Sequence, residues 1–230
     1  MSEKVLVLVS GGLDSTTCLA REVKRVGNEN VIALSVYYGQ KHDKEIASAK
    51  AVTDYYNVEW LQLDLTKIFQ FSDSSLLSHS DREIPKESYG EQLAETEGEL
   101  VSTYVPFRNG LFLSSAASIA ISKGCSLICY GAHSDDAAGA AYPDCSKEFN
   151  DAINAAIYIG SGKELRVEAP FVNMTKADIV REGLELGVPY ELTWSCYEGG
   201  EVPCGKCGTC IDRAKAFEEN GVKDPLLSSY

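Results

Sequence analysis

The chain has 230 residues, 44% of them hydrophobic, and a formal net charge of −13. That length suits one large domain, or a domain with an appendage, able to bury roughly 70% of its unfolded surface. No apolar run approaches the ~18 residues of a membrane span. The chain enters a strand by Lys4, which leaves no room for a signal peptide. The negative charge opposes the broad basic face that a nucleic-acid backbone requires. The expectation is a cytoplasmic protein that acts on small molecules, with neither a nucleic-acid nor a membrane partner.

The first predicted element is a strand over residues 5–9, five consecutive apolar residues of the kind found in a central parallel strand covered on both faces. The turn Ser10-Gly11-Gly12-Leu13-Asp14-Ser15 follows, then a helix over 16–26 that stops at Gly27. Two glycines let backbone amides approach a ligand closely. Asp14 or Ser15 is expected to cap the helix. Amides at such a turn, with the positive end of a helix dipole, form an anion site, and phosphate is the obvious anion. The turn has neither the Walker lysine nor the G-x-G-x-x-G spacing. Its Ser-Gly-Gly-x-Asp-Ser pattern resembles the pyrophosphate loop of the N-type ATP pyrophosphatases. In those enzymes ATP is split between its α and β phosphates and a substrate oxygen takes AMP.

A second strand is predicted over 31–38, ending in Gly39-Gln40-Lys41-His42, then a helix over 43–56 and a third strand over 58–65. This β-α-β-α-β order signals a doubly wound, mostly parallel α/β sheet. Residues 72–100 carry eight acids and two bases, −6, leaving −7 for the rest of the chain. So long and acidic a stretch reads as a mobile flap. After it come a helix over 110–122, a strand over 127–130, a helix over 147–159, a fifth strand over 165–172 broken by Pro170, and a helix over 175–186. Thr175 and Asp178 fit a capping box for that last helix, and Gly187 ends it. Polar residues recur at the predicted C-terminal strand ends, where parallel sheets place ligands: His42, Arg108, Asn109, His133, Asp135, Asp136 and Asp144.

Eight cysteines in a chain expected to be cytoplasmic argue for thiols or metal rather than a disulfide framework. Cys196, Cys204, Cys207 and Cys210 have the spacing C-x7-C-x2-C-x2-C, which can close a tetrahedral thiolate shell around zinc at Zn–S distances near ~2.3 Å. With all four positions filled the site is structural, and it fastens a last helix over 212–220. An iron–sulfur cluster is the alternative, since C-x2-C-x2-C also serves there. The expected layout is a nucleotide-binding α/β domain over 1–190 and a zinc-binding subdomain over 191–230.

The turn at 10–15, Tyr37-Tyr38-Gly39-Gln40-Lys41-His42, residues 103–109, Ala141-Tyr142-Pro143-Asp144-Cys145, Glu168-Ala169-Pro170, Thr175-Lys176-Ala177-Asp178 and residues 192–210 together resemble the 7-cyano-7-deazaguanine synthase family. The likeness runs from residue 5 to about 217. It implies conversion of 7-carboxy-7-deazaguanine, ammonia and ATP to a nitrile, by two adenylations that each release pyrophosphate, and it implies a homodimer. It implies zinc on the four cysteines. It also implies ATP, with magnesium bridging its phosphates, on Val9, Ser10, Gly11, Gly12, Leu13, Asp14, Ser15, Thr16, Thr17, Cys18 and Leu19. Ser10, Asp14, Ser15, Lys176 and Arg108 are the expected catalytic groups, because donors and cations preorganised around the departing pyrophosphate lower the barrier. His42, Arg108, Asp135, Asp136, Tyr142 and Asp144 are the candidates for contacting the deazapurine. Two departures from the family pattern stand near the presumed base pocket: Phe107, where a small residue is common, and the alanine-rich turn over 135–141. Three alternatives remain: a ligase that joins the same acid to another amine or peptide, a tRNA-modifying ATP pyrophosphatase relative, and a non-catalytic nucleotide-binding or zinc-scaffold protein.

Overall fold

The computed structural model describes residues 3–87, 100–137 and 142–227, without the side chains of residues 136 and 137. Five strands form one parallel sheet: β1 (Val5–Leu8), β2 (Val31–Tyr37), β3 (Glu59–Asp64), β4 (Leu127–Cys129) and β5 (Arg166–Glu168), in the order β3-β2-β1-β4-β5. The chain builds outward from β1 to β3, then returns to add β4 and β5 on the other side of β1. This reversal opens a crevice beyond the C-terminal ends of β1 and β4, where doubly wound sheets bind ligands.

Alternation along β1 feeds both faces. Val5, Val7 and Val9 pack with α1 (Leu13–Val26), α2 (Lys44–Tyr56), α5 (Lys176–Leu186) and α6 (Gly208–Glu219). Leu6 and Leu8 pack with α3 (Arg108–Ser122) and α4 (Lys147–Gly160). The expected two-sided α/β fold is present. Helix α6 adds Ala216 and Phe217 to the core shared with α5. No helix among the described residues is long and apolar enough to cross a membrane.

Several boundaries differ from the sequence reading. Helix α1 begins at Leu13, so Gly12 is its N-cap, and Asp14 and Ser15 lie inside the first turn rather than capping it. Strand β5 is three residues long, because Pro170 lacks an N–H and the chain turns at once, with Val172 N–H donating to the Ala169 carbonyl at 3.2 Å. Helix α6 starts at Gly208, inside the cysteine cluster, which puts Cys210 in its first turn.

The acidic stretch is not a flap over residues 72–87. It is irregular but packed, with Leu76 and Leu77 buried against Tyr38, Phe69 and Val105. Lys41 and Ser78 amides bond across to the Leu76 and Gly39 carbonyls at 3.0 and 2.8 Å. Two adjacent leucines are enough to anchor it. Residues 88–99 lie outside the described residues.

The C-terminal segment is held by a buried fork. Arg213 of α6 donates to both oxygens of Asp224, Nε at 2.6 Å and Nη2 at 2.9 Å, and to Thr193 Oγ1 at 2.7 Å. Both side chains are about 5% exposed. Replacing Arg213 with Met leaves Asp224 as a buried uncompensated charge. It should cost about 3–5 kcal/mol, read as a lower denaturant midpoint. A midpoint equal to the parent's would show that the fork contributes nothing.

Candidate active site

The crevice opens directly off β1. Val9 N–H still bonds to the Leu34 carbonyl at 2.9 Å, then the chain turns. The Ser10 and Ser15 hydroxyls meet at 3.0 Å. Ser15 Oγ also accepts from Ser10 N–H at 3.2 Å and donates to the Gly12 carbonyl at 3.2 Å. The two serines therefore brace the turn from within. Gly11 has φ +88°, and a Cβ there would collide with the Glu45 carbonyl and the Ala49 amide of α2. Gly131, at the end of β4, lets that strand approach Asp14 and Ser15, since a Cβ would lie 3.0 Å from the Ser15 nitrogen. The N-cap of α1 is Gly12, which has no side chain to cap the first turn. Its amides, at the positive end of the helix dipole, are available to an anion in the crevice.

Three titratable groups lie behind the turn. Lys176 Nζ is 3.1 Å from Asp14 Oδ2, and the buried His133 Nε2 is 3.7 Å from the same oxygen. Burial alone would raise the Asp14 carboxyl, but Lys176 and His133 outweigh it and hold the group far below the usual carboxylate range. Its other oxygen, Oδ1, is buried and has no hydrogen-bond partner among the described residues. Lys176 is the first residue of α5, where Thr175 and Asp178 form the expected capping box and Asp135 Oδ2 accepts from the Lys176 amide at 2.8 Å. Asp135 thus positions Lys176.

The opposite wall comes from β2, α2 and α3. The Arg108 guanidinium lies 5.3 Å from the Tyr38 ring centroid, and its Nη1 reaches Tyr38 Oη at 3.3 Å. Glu45, in the first turn of α2, lines the same crevice. Burial pushes its carboxyl up to about 7, against the Arg108 charge, which works to lower it.

The third wall is tied to the cysteines. Cys196, Cys204, Cys207 and Cys210 bring their sulfurs within 4.8 Å of one another. Backbone amides of Cys204, Lys206 and Cys207 donate to sulfur at 3.3, 3.4 and 3.3 Å, contacts that favour thiolate. Four convergent sulfurs with amide support fit a thiolate-bound metal. The preceding residues reach the turn: Trp194 N–H donates to the Gly11 carbonyl at 2.9 Å, and Thr209 Oγ1 donates to the Ser195 carbonyl at 2.7 Å.

Residues 4–221 match the sequence profile of the family described as queuosine biosynthesis protein QueC. The chain belongs to the QueC family. It is 47% identical over 226 residues to the 7-cyano-7-deazaguanine synthase of Archaeoglobus fulgidus, covering 98% of this chain and 90% of that one. It is 44% identical over 223 residues to the synthase of Caldicellulosiruptor bescii, covering 97% and 96%. Among solved structures, the U34-tRNA thiolase NcsA from Methanococcus maripaludis, with its 4Fe–4S cluster, superposes with a TM-score of 0.52 at 16% identity, covering 95% of this chain and 67% of that one. NMN synthetase from Francisella tularensis gives 0.51 at 15%, covering 99% and 78%. At such identities these two show a shared fold.

In this QueC-family chain the structure separates the expected site residues. Val9, Ser10, Gly12, Leu13, Asp14, Ser15, Lys176 and Arg108 line the crevice. Thr16, Thr17, Cys18 and Leu19 are buried on α1, and Thr17 Oγ1 bonds with Tyr190 Oη at 2.9 Å. They support the turn from the core side and do not line the crevice, as expected of a helix whose inner face is apolar. The His42 ring packs over Gly199 beside the cysteines, where burial lowers its pKa, and it is not among the crevice residues. Tyr142 is buried in the core and its hydroxyl bonds with Thr103 Oγ1 at 2.5 Å. Asp144 Oδ2 accepts from the Asn109 amide at 2.8 Å, which secures the start of α3. The Asp136 side chain lies outside the described residues, as do residues 138–141.

Phe107 adopts φ +53°, ψ +31°, a conformation that explains why a small residue suits the position, and its ring turns outward onto Phe149 at 5.9 Å. It does not enter the crevice. Sequence reasoning missed Glu45, Tyr130, Trp194, Tyr197 and Thr209, all of which line it. The Tyr130 hydroxyl is buried without a partner among the described residues. A single acid on an amphipathic helix, or a tyrosine ending a strand, carries no sequence signal that separates it from a surface or core residue.

The depressed Asp14 carboxyl has a consequence for stability. Its folded pKa lies below the unfolded value of about 4, so its contribution is fully present above that pH and is lost as pH falls below it. Asp14→Asn, which removes the carboxylate facing Lys176 and His133, should cost about 1–3 kcal/mol at neutral pH. The difference from the parent should shrink on acidification through pH ~4, as followed by melting temperature. A difference that stays constant on acidification would contradict the ion cluster.

Proposed function

We propose that the chain is a 7-cyano-7-deazaguanine synthase, an ATP-dependent carbon–nitrogen ligase that converts 7-carboxy-7-deazaguanine and ammonia to the nitrile. The observation that carries this reading is the uncapped glycine turn at the switch point of the sheet, in a chain of this family. A carboxylate is a poor electrophile because oxide is a poor leaving group. Its oxygen attacks the α phosphorus of ATP, pyrophosphate leaves, and AMP becomes the leaving group that ammonia displaces. The resulting amide oxygen is adenylated in turn, and loss of AMP gives the nitrile.

The amides of the turn and the Ser10 and Ser15 hydroxyls hold the departing pyrophosphate. Lys176, fixed by its bond to Asp14, adds positive charge on that side. Such donors act where charge develops and need no rearrangement at the moment of reaction. Arg108, across the crevice, meets the substrate carboxylate and the α phosphate. Tyr38, Trp194 and Tyr197 supply aromatic surface for the heterocycle. Magnesium would be held by the unpartnered Asp14 Oδ1 together with the phosphates, and it would neutralise charge there. Zinc on Cys196, Cys204, Cys207 and Cys210 would be structural, holding the 194–197 segment against the turn. Homodimer formation in the cytoplasm, without nucleic acid or membrane, completes the proposal.

Incubation with 7-carboxy-7-deazaguanine, ATP and ammonia should yield the nitrile by mass spectrometry, with AMP and pyrophosphate as co-products. ADP with orthophosphate, or a failure to form the nitrile, would overturn the reading. Lys176→Ala should lower kcat by about 100-fold or more. Metal analysis should find about one zinc ion per chain, and Cys207→Ser should lose it together with thermal stability. Full zinc retention in that variant would refute the ligand set.

A further inference from the structure

The reaction proposed above sheds protons that the phosphate machinery does not take up. Ammonia adding to the acyl adenylate loses one N–H proton as AMP leaves and the amide forms. The amide loses a second when its oxygen is adenylated to the imidate. The third N–H proton departs with the second AMP as the C≡N bond is completed. A base facing the acyl carbon is required.

Resting on that reading, we infer that Glu45 is the proton acceptor: its carboxylate, at the crevice end of α2, takes the N–H protons released in amide and nitrile formation and passes them to water. Among the described residues lining the crevice, the carboxylates are Asp14 and Glu45. Asp14 is engaged by Lys176 and His133 and is too weak a base. The buried Tyr38 phenol, pushed up to about 12, is neutral, and its oxygen accepts from Arg108 Nη1 at 3.3 Å. The Glu45 carboxylate takes part in no side-chain hydrogen bond or ion pair with a described residue. Its backbone is fixed because the Glu45 carbonyl is packed against Gly11 of the phosphate turn.

The charged and titratable groups around Glu45 are the Arg108 guanidinium of α3 and the Tyr38 hydroxyl at the end of β2. Its neighbour Lys44 is directed over the Trp194 ring, 5.3 Å from the centroid. Burial outweighs Arg108 and brings the carboxyl to about 7, where a general base is both substantially ionised and strong enough to act.

The test uses the full chain, with Glu45→Gln and Glu45→Asp. Exchange of pyrophosphate into ATP in the presence of the acid and the absence of ammonia reports the first adenylation, that of the carboxylate, in which no N–H proton moves. In Glu45→Gln this exchange should stay within about threefold of the parent while amide and nitrile formation fall by about 100-fold or more. Glu45→Asp should recover at least part of the loss. In the parent, the nitrile rate per unprotonated ammonia should fall as pH drops through about 7, and this limb should be absent from Glu45→Gln.

The carboxyl's raised folded value means that its ionised form costs stability above the unfolded value, increasingly up to about 7. A folded Glu45→Gln should therefore melt higher than the parent at alkaline pH. Parental nitrile rates in Glu45→Gln overturn the inference. So does loss of exchange in step with nitrile formation, which would place Glu45 in substrate binding. If Glu45→Gln does not fold, a parental rate that is flat between about pH 6 and 8 overturns it alone. A parent that makes no nitrile under any condition refutes the functional reading itself, a failure visible without either variant.

Discussion

The structure depends on one close backbone approach. Gly11 bends at φ +88° with no room for a side chain, because the Glu45 carbonyl and Ala49 amide of α2 occupy the space where a Cβ would stand. Its own carbonyl is taken by the Trp194 amide at 2.9 Å. Three segments far apart in the chain therefore converge on one peptide unit. The turn places the first amides of α1, fixes the start of α2, and receives the segment leading into the cysteines. A side chain at this position would push all three apart.

Around that clamp, two carboxylates experience opposite environments. Asp14 faces Lys176 and His133 and is held ionised; Glu45 is desolvated with a single guanidinium facing it and is pushed up to about 7. Environments that drive titratable groups apart divide chemical roles between them. Asp14 suits charge organisation beside phosphates, and Glu45 suits proton transfer. Gly131 permits this arrangement by letting β4 approach the start of α1.

The outer parts of the molecule serve the same geometry. The Arg213–Asp224 fork also reaches Thr193, one residue before Trp194, so anchoring α6 anchors the crevice wall. Asp135 and the Thr175–Asp178 capping box fix the first residue of α5, and with it the Lys176 ammonium. Asp144 does the same for Asn109, next to Arg108. Carboxylates that look like ligand contacts in the sequence secure the helix starts from which cations project.

The sequence by itself determined the parts governed by local chemistry. Runs such as residues 5–9 are readable because strand periodicity and burial are properties of neighbouring residues. The glycine turn is readable because only glycine allows its backbone path, and the cysteine cluster because four sulfurs within 15 residues have few other uses. The tertiary structure alone decided which polar residues face the crevice. In the sequence His42, Asp144 and Arg108 read alike as polar residues of the ligand edge, yet one packs on the cysteine segment, one secures a helix start and one enters the site. Glu45 is indistinguishable along the chain from any solvent-facing acid of an amphipathic helix. Its environment is created by Gly11, Tyr38 and Arg108, brought together by a sheet order that sequence spacing does not encode. The same applies to Leu76 and Leu77, whose burial depends on Tyr38 and Val105, distant in sequence, as well as on the nearby Phe69. Desolvation and charge pairing are set by neighbours in space, and those neighbours exist only once the sheet has closed around β1.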